Sequence, residues 1–219
     1  MGTQRLISEL PRHETDIYVI GSGSSLSYIN RSFFDGKVTI GINLVYRFIK
    51  VMYGISIHTS LIPEMIAVGV TGVSPEWDMG VYGRERAKMT GEVVFKHKNN
   101  TQYVYDERHT GYLDIDCSDF DNPESLVVGT GTTSAIHLAY RLGATNIILC
   151  GIDGCTIDGK TNIKGYWHTP TEKAHLEDSQ PQLDLICNLI RSKGIGVYSI
   201  NPFNNFRNEN HTIEYGNMG

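Results

Sequence analysis

The sequence has little that would direct it to a membrane, a metal or a nucleic acid. No apolar stretch approaches the roughly 18 residues that a membrane-spanning helix needs. The first residues, through Asp16, lack the apolar centre of a secretory signal. Gly2 is followed by Leu6 where N-myristoylation wants Ser or Thr. A cytoplasmic protein without a membrane span is expected. The four cysteines (Cys117, Cys150, Cys155, Cys187) form no CxxC pair and no zinc spacing. Cys150 and Cys187 lie in apolar runs and read as reduced core residues. Positive charge is short as well: 19 Lys and Arg against 24 Asp and Glu leave a net charge of -5. No global basic field points to nucleic acid, and such a partner is not expected. Internal repeats and low-complexity segments are absent.

What is present is enough apolar sequence, 40% of 219 residues, for one packed domain of ordinary size. One stretch organises it. Gly129–Thr133 is small and polar, suited to a helix N-terminus with free backbone N–H groups, and Thr130, Thr132 or Thr133 can cap it. Ala135, Ile136, Leu138, Ala139 and Leu142 follow at helical spacing, and Gly143 stands where a C-terminal glycine belongs. Asn146–Cys150 is then an apolar run typical of a strand buried on both faces. Gly151-Ile152-Asp153 ends it with a carboxylate at the tip, the end of a parallel strand where ligands bind in open α/β sheets.

The N-terminal half repeats that logic. Ile17–Ile20 reads as a strand, followed by the Gly-rich turn Gly21-Ser22-Gly23-Ser24-Ser25 and a short helix over 25–30. That geometry presents backbone N–H groups to a phosphate; the alternative is a tight turn with no ligand, since a lone GxG is unspecific. Lys37–Ile42 is a second strand ending at Asn43. A dehydrogenase wants an acidic residue there for the ribose hydroxyls, so NAD is not expected. Leu44–Lys50 reads as a short helix. Tyr53–Ile57 is a third strand, delivering His58 to the same edge; an ordinary loop residue is the plainer reading of that histidine. Residues 63–73 suit a further helix or strand. Residues 1–15 read as an amphipathic lead-in.

Residues 74–125 change character. They are polar and Gly-punctuated, with a hairpin expected from Glu92–Lys96 and Gln102–Tyr105 around an Asn-rich turn. Arg84, Arg86, Lys88, Lys96 and Lys98 make a loose basic cluster, read as a solvated face or as phosphate contacts on a flap. The segment is expected to be an insertion or lid within a single domain over 1–219. After Asp153 comes a loop of some 25 residues carrying Tyr166, Trp167, His168 and His175, long enough to suggest function. Pro181–Lys193 reads as the last helix and Ile195–Ile200 as the last strand. The sum is a Rossmann-like, doubly wound, mostly parallel α/β sheet.

A strand into GSGSSL, a second into GIN, and TGT-helix-GATNIILCGID together resemble the bacterial sialyltransferases of glycosyltransferase family 42. They also resemble the wider group of 6-hydroxymethylpterin diphosphokinase-like (DUF115) proteins and motility-associated glycosyltransferases. The resemblance covers about residues 17–61 and 127–203. It implies a metal-independent, inverting glycosyltransferase that needs no cofactor and takes a CMP-sugar as donor and a hydroxyl-bearing acceptor. Gly21, Ser22 and Gly23 would lie against the donor phosphate and ribose, with Ser22 where the family usually has Asn; Ser24 and Ser25 follow them at the helix start as further nucleotide-binding candidates. Asn43 matches the family's nucleotide-binding Asn, and His58 falls where it has another. Thr130 and Gly131 match the Thr-Ser at the helix start that touches the donor, and Thr132 follows in the same turn as a further nucleotide-binding candidate. Gly151 and Asp153 match the Gly-Ile-Asp that holds the nucleoside. Gly154-Cys155 replace an aromatic pair, so one phosphate-stabilising tyrosine is missing, and Tyr166 is the substitute from the long loop. The position of the family's catalytic histidine falls on Glu177. His175 lies two residues away and His168 nine, and either would serve as general base. A Mg-ATP-dependent diphosphokinase, with Mg2+ on Asp153, Asp158 or Asp178, is the alternative, as is a nucleotide-binding protein without catalysis. Homo-oligomer formation is left open.

Overall fold

The computed structural model describes residues 5–75, 93–95, 117, 120–127, 130–154, 160–166 and 173–200, and for 59, 93–95 and 173–179 the backbone only. The strands are β1 (Arg5–Leu6), β2 (Ile17–Ile20), β3 (Val38–Ile42), β4 (Tyr53–Ile55), β5 (Thr71–Pro75), β6 (Val93–Phe95), β7 (Asn146–Cys150) and β8 (Gly196–Ser199). The α-helices are α1 (Ile62–Ala67), α2 (Gly131–Arg141) and α3 (Lys173–Ser192). The strands form one sheet in the order β1-β6-β5-β4-β3-β2-β7-β8. Every neighbouring pair is parallel.

Parallel strands need both faces covered, which explains the unbroken apolar runs. All four residues of β2 are buried. Ile17 and Val19 join one core with Ile147 and Leu149 of β7, under Ile136 and Leu138 of α2 and Ile186 and Ile190 of α3. Tyr18 and Ile20 alternate to the other face and meet Leu26, Phe34, Val45, Met65 and Ile148. That second face is covered by α1 and by 3₁₀ turns at Ser24–Tyr28, Arg31–Phe34 and Asn43–Arg47. The connections from β2 to β3 and from β3 to β4 are built from these turns and not from an α-helix. They close with i to i+3 bonds instead, such as Leu26 N–H to the Gly23 carbonyl at 3.2 Å.

Four expectations from sequence are corrected. Arg5–Leu6 is a strand at the sheet edge, where an amphipathic lead-in was expected. The expected hairpin strand is realised as β6, but paired parallel on both sides, with β5 and β1; residues 102–105 and the basic cluster lie outside the described residues. Residues 71–75 and 93–95 belong to the central sheet, so both the start and the middle of the expected insertion contribute to the body of the fold. The last helix does not start at Pro181. It starts at Lys173 and carries Pro181 inside it. The side chain of Gln180 donates to Asp184 at 2.8 Å across the proline, a bond that holds the turn where the backbone donor is missing.

No helix among the described residues is long and apolar enough to cross a membrane.

Candidate functional site

The strand order reverses between β2 and β7. From β2 the chain steps through β3, β4 and β5 in one direction, whereas β7 leads to β8 in the other. The carboxyl ends of β2 and β7 therefore border the crevice in which ligands of open α/β sheets bind.

Two turns leave those ends and lock together. The Gly21 N–H donates to the Cys150 carbonyl at 2.8 Å, and the Gly23 N–H to the Gly151 carbonyl at 2.8 Å. The Ser25 N–H donates to Asp153 Oδ2 at 2.9 Å, and the Ser25 hydroxyl to Asp153 Oδ1. Approach is so close that a Cβ on Gly23 would stand 2.5 Å from Asp153 Oδ2 and 2.6 Å from the Gly151 carbonyl oxygen. Gly151 makes the reversal at a φ of 61°, which a side chain resists. Asp153 is only 4% exposed, and burial raises its pKa against the lowering by the two bonds from Ser25.

This geometry divides the residues expected to bind a nucleotide. Gly21, Gly23, Ser24, Ser25, Gly151 and Asp153 are buried and form a floor. The N–H groups of Gly21, Gly23 and Ser25, expected to face a phosphate, are spent on Cys150, Gly151 and Asp153. Ser22, Asn43, His58, Thr130, Gly131, Thr132 and Tyr166 are all half-buried and stand along the ends of β2, β3 and β4 as a rim. Thr130 caps α2 by accepting from the Thr133 N–H at 3.3 Å, while the Thr133 hydroxyl takes the Thr130 N–H at 3.0 Å. A Cβ on Gly131 would stand 3.1 Å from Ile42, so this helix start borders the end of β3.

Asn43 follows β3 at a φ of 52°, a left-handed backbone that Asn tolerates better than most residues. Its Oδ1 accepts from the Ser56 hydroxyl at 2.9 Å, and Ser56 Oγ in turn accepts the His58 N–H at 3.0 Å. The ends of β3 and β4 are thus tied by one polar chain.

A strap over residues 160–166 crosses the Gly turn. The Ile163 N–H donates to the Ser22 carbonyl at 2.8 Å, the Ser22 hydroxyl to Asn162 Oδ1 at 2.7 Å, and the Ser24 hydroxyl to the Lys160 carbonyl at 2.8 Å. Gly23 and Asn162 form an isolated antiparallel bridge. Tyr166 ends the strap against Phe48, ring centroids 5.8 Å apart. Burial raises its pKa, and Ser22 and the Leu44 backbone face its hydroxyl. It is therefore a neutral hydroxyl at physiological pH.

His168, Trp167 and Asp158 lie outside the described residues. His175 lies in α3, and its side chain and that of Asp178 are likewise outside the description. Sequence reasoning missed Ser56, Asn162 and Gln180. Gln180 Oε1 would stand 3.2 Å from a Cβ on Gly154, which brings α3 to the tip beyond Asp153. For Asn162 the signal was the long loop itself; for Ser56, its place two residues before His58 at a strand end. A cavity of about 260 Å³ lies by the C-terminus of α2 and the segments that enter β7 and β8, lined by Ile7, Leu10, Arg12, Tyr140, Arg141 and Ile195. It shares no residue with the rim.

Comparison with protein-family models and with curated proteins gave no match. Solved structures do match in fold. The monofunctional alpha-2,3-sialyltransferase Cst-I from Campylobacter jejuni superposes with a TM-score of 0.54 at 15% identity, over 98% of this chain and 86% of its own. The sialyltransferase CST-II, solved with a trisaccharide acceptor and CMP, gives 0.50 at 14% identity, over 93% and 87%. The MAf glycosyltransferase from Magnetospirillum magneticum AMB-1 gives 0.53 at 14% identity over 88% of this chain, which spans 32% of that longer protein. At such identities the likeness is one of fold: the chain has the Rossmann-like fold of these sialyltransferases and of a part of the longer glycosyltransferase.

Proposed function

We propose that this protein is a nucleotide-sugar-dependent glycosyltransferase of the sialyltransferase type, inverting and metal-independent, with a CMP-sugar as donor. One observation carries the reading. The two glycine-softened turns meet beside Asp153 at the switch point, and three half-buried residues with sialyltransferase counterparts, Asn43, Thr130 and Gly131, lie on the rim above them. The likeness in fold to two sialyltransferases supports it.

The floor then positions and the rim binds. Ser25 and Asp153 fix the relative placement of the two turns. Thr130–Thr132 offer a capped helix N-terminus to the donor's phosphate. The neutral hydroxyl of Tyr166, held between Ser22 and Leu44, donates to the departing phosphate oxygen as charge develops there. His175 or His168 takes the proton of the acceptor hydroxyl. The strap excludes water from the phosphate side. The diphosphokinase alternative would hold Mg2+ on Asp153, Asp158 or Asp178; of these, Asp153 is engaged by Ser25 through both carboxylate oxygens.

The test is CMP release from CMP-sialic acid by the wild type and by a His168→Ala, His175→Ala double variant. Loss of turnover with CMP binding intact is expected. Undiminished turnover in the double variant removes the base assignment, and no turnover in the wild type with any CMP-sugar removes the reading.

A further inference from the structure

The chain of hydrogen bonds that ends at Asn43 determines which of its two polar ends reaches the ligand. Ser56 is 1% exposed at the end of β4, and its Oγ receives the His58 N–H at 3.0 Å. An oxygen already accepting from a backbone amide keeps one hydrogen of its own to donate. Asn43 Oδ1 is the acceptor at 2.9 Å. The amide oxygen of Asn43 is therefore the end turned to Ser56, and its NH2 group is turned away from Ser56. The left-handed backbone at Asn43, φ 52°, is the local strain that brings this side chain back over the ends of β3 and β4.

We infer that Ser56 is a positioning residue: it locks Asn43 with its NH2 toward the cleft, so the site offers a hydrogen-bond donor at this point and selects a ligand with an acceptor atom there. The nature of the ligand, a nucleotide, rests on the function proposed above; the orientation of the amide does not. A donor at this place suits a carbonyl or ring-nitrogen acceptor of a base, or a ribose or phosphate oxygen. It mismatches a ligand that presents an N–H to this point.

Two measurements test it. In the 15N-labelled free protein, the side-chain amide protons of Asn43 are identified by their disappearance in Asn43→Asp. Both are expected to exchange rapidly with water; protection of one of them shows that NH2 donates to Ser56 and overturns the orientation. The second is the dissociation constant of CMP for the wild type, Ser56→Ala, Asn43→Ala and the double variant. Ser56→Ala is expected to weaken CMP about fivefold, the size of one net hydrogen bond, and to add nothing when Asn43 is already Ala. Equal weakening in both backgrounds overturns the positioning role. If the wild type binds no CMP, the proposed function fails, and the proton exchange still decides the orientation.

Discussion

His137, in the middle of α2, links this fold's stability to pH. It is fully buried and stacked on Phe120, ring centroids 4.2 Å apart. Its Nδ1 accepts the Val127 N–H at 2.9 Å, which leaves the proton on Nε2 to be donated to the Phe120 carbonyl at 3.0 Å. Both nitrogens are used in the neutral form, and protonating Nδ1 would destroy the first bond. Burial, and then the nearby Arg141 charge, lower the pKa from 6.5 to about 3. The sign follows from linkage. The unfolded chain takes up the proton near pH 6.5 and the folded chain does not, so this contribution is intact above pH 6.5 and is lost as pH falls from there toward 3. Between pH 7.5 and 5 the loss is about 2 kcal/mol. Urea unfolding of the wild type and of His137→Gln at those two pH values measures it. The wild type is expected to lose about 2 kcal/mol more than the variant over the interval. Asp153, raised by burial, acts with the opposite sign and is present in both proteins, so the difference isolates His137. Identical pH dependence in the two proteins would refute the reasoning. Should the variant not fold, the imidazole carbon protons of His137 in the wild type serve instead: no titration is expected down to pH 4, and a midpoint near 6.5 contradicts the assignment.

Two further predictions concern the site's frame. Gly23→Ala drives a methyl group against Asp153 and the Gly151 carbonyl; a loss of about 3 kcal/mol is expected from denaturant unfolding, and an unchanged midpoint shows that the two turns are not so close. Thr130→Ala removes the N-cap of α2 and should cost about 1 kcal/mol, with Thr130→Ser restoring most of it; equal losses in both variants would exclude the cap.

What the sequence reveals follows from which forces are local. β2, β3 and β7 are legible as apolar runs because a sheet covered on both faces imposes that composition. α2 is legible from its spacing, its threonine start and Gly143 at its end. β1, two residues long, is not, and β6 is legible as a strand but not in its partners, because the pairing of both is decided by sheet neighbours far away in sequence. Pro181 reads as a helix start because a proline has no backbone donor, and the Gln180–Asp184 bond that carries the helix through it is not visible in propensities. At the site, Asp153 is found by its place at a strand tip. Its partner Ser25 is 128 residues distant, so its engagement with the Gly turn emerges only in three dimensions. The same holds for His137, which in sequence is one more residue of a helix face. The division of the expected binding residues into a floor and a rim is likewise a property of the packed molecule.

The central claim is that the rim above the Ser25–Asp153 lock holds a cytidine nucleotide. Thermal unfolding of the intact protein with CMP, UMP, GMP, ATP with Mg2+, and NAD tests it most directly. At about a hundredfold the dissociation constant a ligand stabilises by about 2.7 kcal/mol, a shift of several degrees. The account predicts that shift with CMP, independent of Mg2+ and absent with NAD; a shift with ATP that requires Mg2+, and none with CMP, would contradict it.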